Sequence, residues 1–386
     1  MTPKTGMIEE LAGRFSKRFL PQWTARSPNL QSMTLFEGNA LDNDVQDSIR
    51  KHCPQFKSLT VLEWRDSDAD EVFGHFLGGL RPNSLQYFEM ISYSNIGAVS
   101  FSALGLHARS LTELKLSNLQ NSAVLSLGAL KECTKLQLLV LEDNSGSLQL
   151  EATQNDIFVE IVEWLSNCAE LRDLTLKRFY DATTILAQVL TSPKISLTKL
   201  SLEGYVVQRP GSAAFHSSLC EQPKLQSLWL KGDGEDASPE NLDIMVDSLC
   251  RLENIRELVL KDVSDLFDER HISRLALQLP LLEELWTSGG EIGEEVFLCF
   301  THLRQLKSLT LYALTQLTCD NIIDFIEQLD EQNQKGFLLS LMASDADYDL
   351  TEVEQSVIRD QLKTKVDGKF DFVLWREAEQ SESDSD

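Results

Sequence analysis

Several features are missing from this sequence of 386 residues, and each absence removes a class of function. It contains no Gly-x-Gly-x-x-Gly, no phosphate-binding loop, no Gly-x-Ser-x-Gly and no His-Glu-x-x-His. The usual marks of nucleotide binding, serine hydrolysis and zinc proteolysis are therefore absent. Positive charge is short: 35 Lys and Arg face 60 Asp and Glu, for a net charge of -25. That balance argues against nonspecific binding to nucleic acid or to an anionic membrane. No apolar run approaches the length of a bilayer span, and Met1 to Leu20 is broken by Lys4, Glu9, Glu10, Arg14, Lys17 and Arg18, so no signal peptide is expected. Cysteines number seven, an odd count, with no Cys-x-x-Cys pair, and no Asn-x-Ser/Thr acceptor occurs. Both observations favour a reducing compartment, cytoplasmic or nuclear. Nothing in the pattern asks for a cofactor, a metal or a small-molecule substrate.

What the sequence does contain is one phrase written many times. Cys168-Ala-Glu-Leu-Arg-Asp-Leu-Thr-Leu176 has the form C-x-x-L-x-x-L-x-L, which recurs at Cys133 to Leu141 and, with Phe and Val substituted, at Cys53 to Val61. The apolar skeleton starts at Leu30, Phe56, Leu85, Leu111, Leu136, Leu171, Leu197, Leu225, Ile255, Leu282 and Leu306, at intervals of 24 to 35 residues. A period in that range, with a short strand and a helical return in each unit, predicts an α/β leucine-rich-repeat solenoid. In the expected right-handed horseshoe a parallel sheet lines the concave face and the helices lie outside. Stacking adds core repeat by repeat, so the chain length does not require several domains.

Within each unit the three leucines should point into the stack and the residues between them outward. Cys53, Cys133 and Cys168 lie three residues before the first repeat position, and Cys220 and Cys250 five before. A fixed offset reads as a small apolar side chain packed at the helix-to-strand turn, so all seven thiols are expected in the core. Val124, Leu127 and Leu130 mark one helical return, and Ile157, Ile161, Val162 and Leu165 another. The longest repeat carries a polar insertion, Glu142 to Asn155, expected as an exposed loop, and further loops are expected at Gln208 to Ser212 and Gly232 to Pro239.

The repeats are expected to span 30–335, preceded by a cap helix over 1–29. Ile8, Leu11, Ala12, Phe15 and Phe19 would share one face of that helix, and Pro21 would end it. A degenerate repeat and closing cap should occupy 336–375, with strands around Leu339 to Leu341 and Phe370 to Trp375. Between them Thr351-Glu-Val-Glu354 has capping-box form and opens a helix to about Lys365. The acidic, serine-rich segment 376–386 should be disordered, and Ser381 and Ser383, each with an acid three residues on, are phosphorylation candidates.

These units, with Ser27-Pro28-Asn29-Leu30 and Cys53-Pro54-Gln55-Phe56 as variants, resemble the cysteine-containing, ribonuclease-inhibitor-like class of leucine-rich repeats. The long repeats look most like the substrate-recognition solenoids of F-box proteins, over about residues 27–318. The resemblance implies a protein-binding scaffold, and as an alternative the recognition subunit of a ubiquitin ligase, although no F-box precedes the repeats. The position after the last strand leucine, often Asn or Cys in that class, is Asn144 once but Leu119, Phe179, Tyr205 and Val263 elsewhere. An apolar turn ladder is therefore expected. A further alternative is a GTPase activator built on such repeats, for which Arg209 is the candidate catalytic arginine.

Chemistry-bearing clusters are few. Cys299 and His302 share a helical spacing but have no second ligand pair, so zinc is not expected. Asp345, Asp347 and Asp349 begin like a calcium loop, which then has Leu350 where Gly is needed and Ser356 where Glu is needed. Helix capping is the better reading, and the acidic run Asp233 to Asp236 reads as solvated. The outward strand residues say more. Trp229, Val259 and Trp286 occupy the same strand position in three consecutive repeats, with Thr310 next. Tyr312, Lys231 and Lys261 border them on one side and Glu257 and Glu284 on the other. Aromatic residues ringed by charge have the composition of a binding hot spot, so a protein partner is expected on the concave face. The competing expectation is that the C-terminal cap folds over the two tryptophans.

Overall fold

A computed structural model describes residues 7–8, 16–232, 237–315, 317–343 and 350–374. The chain forms two compact units, Met1–Leu197 and Thr198–Asp386. In the first, strands β1 (Met7–Ile8), β2 (Ser32–Glu37), β3 (Ser58–Glu63), β4 (Tyr87–Met90), β5 (Glu113–Leu119), β6 (Leu138–Asp143) and β7 (Asp173–Lys177) lie in sequence order. Each pairs in parallel with the next. The second holds β8 (Lys199–Tyr205), β9 (Ser227–Gly232), β10 (Glu257–Lys261), β11 (Glu284–Ile292), β12 (Ser308–Thr315), β13 (Leu338–Ala343) and β14 (Lys369–Leu374). These too are parallel and in order. Parallel neighbours require a crossover, and here a helix or short helical turns supply it between most strands. Each unit is thus a leucine-rich-repeat solenoid.

The repeat residues explain the register. All eleven that open a repeat, from Leu30 to Leu306, are buried, Leu197 among them. The strand leucines stack in line, with Leu139 opposite Leu174 and Leu141 opposite Leu176, all four buried. Each such side chain contributes roughly 1.5–3 kcal/mol by leaving water, and a one-residue slip would turn the whole set to solvent. The return helix Asn155–Asn167 buries Phe158, Ile161, Trp164 and Leu165. Ile157 and Val162 are only half-buried, so the helix faces its core about one position away from the expected stripe. The Trp164 indole N–H donates to the Cys133 carbonyl at 3.2 Å, which ties one repeat to the one before it. The return through Val124 to Leu130 is a helical turn, Asn121–Val124, followed by a 3₁₀ turn, Leu127–Leu130.

Helix ends follow local chemistry. Asp42 caps Asn43–His52 by accepting from Val45 N at 3.0 Å, and Arg50, Lys51 and His52 fill the last turn, where the helix dipole favours positive charge. Thr351 and Glu354 close a reciprocal capping box on the helix Glu352–Val366.

Several expectations need correction. Ile8 does not sit on a helical face: Met7 and Ile8 pair in parallel with Ser32 and Met33. The first helix is Ser16–Ala25 and runs through Pro21 instead of stopping there. Thr24 donates to Ser48 at 2.7 Å, and Ser48 donates to the Pro21 carbonyl at 2.7 Å, a buried relay that ties this turn to the next helix despite the missing proline N–H. The thiols are not uniformly core. Cys53, Cys133 and Cys168 are buried, but Cys220, Cys250, Cys299 and Cys319 are half-exposed. The insertion after β6 is not wholly a loop, for it contains the helical turn Leu150–Thr153 with Leu150 buried. The Leu150 backbone N–H donates to the Asp181 carboxylate. Finally, Asn144 is exposed, and the residue opposite Leu119 in the turn ladder is the buried Asp143, whose carboxylate accepts from Ser145 N at 3.0 Å. Leu119, Phe179, Tyr205 and Val263 are buried.

Candidate protein-binding face

The eight residues expected at a docking site all lie on the outward face of β9 to β12, because alternation turns their leucine neighbours inward. Trp229, Val259, Trp286 and Thr310 are consecutive partners across four strands. The spacing of parallel strands places the two indoles about 10 Å apart at their backbones. Trp229 is 44% exposed and Trp286 half-buried, while Val259 between them is only 7% exposed and forms the floor. The competing expectation, a cap folded over both indoles, does not describe Trp229 as it stands. Farther along, Thr310 and Ser340 are buried and the exposed Asp371 follows, so the row turns polar.

One flank is basic and aromatic. Tyr312 packs against Trp286 at 5.1 Å between ring centroids, and the Lys261 ammonium lies 5.7 Å from the Trp286 ring centre. Lys231 is opposite Lys261 in register, and its ammonium contacts Glu203 at 3.1 Å. The other flank is acidic. Glu257 and Glu284 are direct partners on neighbouring strands, flanked by Ser227 and Ser308. Ser227 donates to Glu257 at 2.6 Å. Burial, then the nearby charge of Glu257, pushes the Glu284 carboxyl above its ordinary value. One position earlier, Glu283 holds both Arg256 and Lys307, the latter at 2.6 Å.

Other candidates are not brought to this face. Arg209 is half-buried in the turn after β8, its backbone N–H donating to Val206 O. Cys299 ends up in the short helix Val296–Phe300 with the exposed His302 just beyond, and among the described residues no group of three or more His, Cys, Asp or Glu could hold a metal. Leu11, Ala12, Phe15, the acidic run Asp233 to Asp236, Asp345, Asp347, Asp349, Trp375, Ser381 and Ser383 lie outside the described residues.

Sequence reasoning passed over a second outward patch, in the first unit. Phe36 is 44% exposed, Ile91 is 41% exposed and Leu62 is half-buried. The flanking pairs Leu35–Val61 and Val61–Met90 put these three side by side. The signal was available: the residue just after the last inward strand position is apolar in three successive repeats. Beside this stripe Tyr87 donates to Glu89 at 2.5 Å, and Lys115 lies 3.9 Å from Glu89 and 5.4 Å from the Tyr87 ring centre. That cluster is satisfied within itself. Buried histidines were missed too. His107 bridges Leu85 N and Leu77 O, and Tyr205 meets His216 Nε2 at 2.5 Å.

No protein-family profile matches the chain. Among solved structures it is similar to the yeast Rad7–Elc1 complex, with 15% identity, 95% of this chain and 79% of that one covered, and a TM-score of 0.49. It is also similar to the leucine-rich repeat-containing protein LegL7 from Legionella pneumophila, at 13% identity, 93% and 97% coverage and a TM-score of 0.38. A third likeness is to the TLR13–ssRNA13 complex, at 12% identity, 83% and 57% coverage and a TM-score of 0.32. Among the described residues no helix is long and apolar enough to cross a membrane.

Proposed function

We propose that this chain is a non-catalytic scaffold that binds a protein partner on the outward face of β9 to β12. One observation carries the reading: Trp229 is left 44% exposed on a strand face, two strands from the partly open Trp286. Tryptophan offers more apolar area per residue than any other side chain, and leaving it in water is unfavourable unless something covers it in use. With Val259 as floor and charged residues on both flanks, the group resembles an anchor with a polar rim. We further place the repeats in the ribonuclease-inhibitor-like class, on the cysteine position: the Cys168 thiol lies 3.7 Å from the carbonyl of Cys133 in the preceding repeat. Affinity capture on the immobilised chain, with mass spectrometry, tests the scaffold reading. A protein retained by the native chain should be lost from Trp229→Ala, and an identical set of captured proteins on both would sink it.

A further inference from the structure

The two flanks of this face differ in how well their charges are matched. On the basic flank each lysine already has a counterpart, Glu203 for Lys231 and the Trp286 ring for Lys261. On the acidic flank Glu257 and Glu284 stand directly opposite one another on adjacent strands, about 4.8 Å apart at the backbone. Glu257 receives one hydroxyl hydrogen bond, and among the described residues no cation reaches within ion-pair distance of Glu284. Arg256, the residue before Glu257, and Lys307, the residue before Ser308 opposite Glu284, are both held by Glu283. The cost is visible in Glu284, whose carboxyl is pushed up by burial and then by the charge of Glu257. Two half-buried carboxylates side by side repel one another, and a cation placed between them would relieve both.

The apolar row is one step away. Trp286 lies two residues beyond Glu284 on the same strand, about 6.7 Å, and Val259 stands at the same distance from Glu257. A long basic side chain could lay its stem or guanidinium along this row while its charge reaches the carboxylates. The docking face therefore has a definite polarity: acceptors without a cation on one side, aromatic area in the middle, matched lysines on the other.

We infer that the partner is an extended peptide segment that inserts an arginine or lysine side chain between Glu257 and Glu284 and rests its apolar neighbours on Trp229 and Trp286. The inference rests on the docking-face reading above and adds the charge of what docks. It also accounts for a pair of like charges that the fold itself does not use.

The test pans a random twelve-residue peptide library, displayed on phage, against the full native chain. Selected peptides are then synthesised and measured by fluorescence polarisation. Those that bind this face should lose at least tenfold in affinity with Trp229→Ala and carry a basic residue at one fixed position. Their affinity should fall at least tenfold again with the double substitution Glu257→Gln/Glu284→Gln. On the native chain, replacing the basic residue of the peptide with Gln should have the same effect, and on the double variant it should have almost none. Because the peptide-side change leaves the protein untouched, it keeps the test decisive even if the double variant folds poorly. Glu284→Gln alone should not lower the melting temperature at neutral pH, since it removes a repelled charge. Peptides that depend on Trp229 but are indifferent to both glutamates, or that carry acids at the fixed position, would overturn the basic-segment inference and leave the docking face standing. If no selected peptide depends on Trp229, the docking face itself falls, and this inference with it.

Discussion

The Trp286 indole meets the Tyr312 ring edge to face, with centroids 5.1 Å apart and planes inclined at 66°. With the Lys261 ammonium 5.7 Å from the same indole, Trp286 is held in place from within the fold, whereas Trp229 is more open. The two tryptophans should therefore respond differently to truncation. Trp229→Ala should weaken partner binding by about 2 kcal/mol or more and change stability by less than about 0.5 kcal/mol. Trp286→Ala should weaken binding and also cost about 1 kcal/mol of stability, through the lost aromatic pair and cation contact. Melting curves and affinities on the same two variants check this. Equal melting temperatures would show that the Tyr312 contact contributes nothing.

The leucine stack makes a second prediction. Leu174 is fully buried and stands opposite Leu139 in register. Leu174→Asp would bury a carboxylate with no partner while deleting a core side chain, and several kcal/mol should be lost, on the order of 3 or more. Circular dichroism should show a much lower melting temperature or no folded state. An unchanged melt would mean that the inward and outward rows are reversed.

These two cases show what the sequence could and could not say. Period and alternation are enough to place Leu174 inside and Trp229 outside, because the strand repeat is two and the stack is parallel and in line. The same reasoning sets Val259 as the floor between the two indoles, and their bulk on either side is why it is only 7% exposed. Pro21 misled because a missing N–H was weighed alone, without the Thr24–Ser48 relay that side chains 24 residues apart provide. Asn144 misled by one position: strand β6 carries Asp143, not Asn144, into the ladder opposite Leu119. The Phe36, Leu62 and Ile91 stripe was readable in principle, but its residues look like ordinary repeat hydrophobes until their facing is known.

Thiol chemistry gives a third prediction. Burial pushes the Cys53 thiol up to about 11 and those of Cys133 and Cys168 up to about 12. Thiolate is the reactive form, so these three should be nearly inert in the folded protein at neutral pH. Cys220, Cys250, Cys299 and Cys319 are half-exposed and should react faster. A thiol reagent should therefore count at most four fast groups in native protein and all seven after denaturation. A reductant added first should change neither number, and a rise on reduction would reveal disulfides.

The buried pair Tyr205 and His216 makes stability depend on pH. The two side chains meet at 2.5 Å, and the other ring nitrogen, His216 Nδ1, has no hydrogen-bond partner among the described residues. Burial lowers the His216 pKa from 6.5 to about 4. His107, buried between Leu77 and Leu85, is lowered for the same reason. Unfolded chain takes up these protons near pH 6.5 while the folded protein still refuses them. Through His216, stability should be complete above that pH and fall as pH drops from 6.5 toward 4, at up to about 1.4 kcal/mol per pH unit, with His107 acting in the same direction. Carboxylates also titrate toward the lower end, so the measurement is a difference between two proteins. In Tyr205→Phe/His216→Phe both polar groups leave together, and no hydroxyl or ring nitrogen is stranded. That exchange should be close to neutral at pH 7. It should be stabilising at pH 5, where the native chain forgoes a proton and the variant does not. Urea melts of both proteins from pH 7.5 to 4.5 should therefore cross or diverge in favour of the variant as pH falls. If the two curves stay parallel throughout, His216 is not held neutral by its burial.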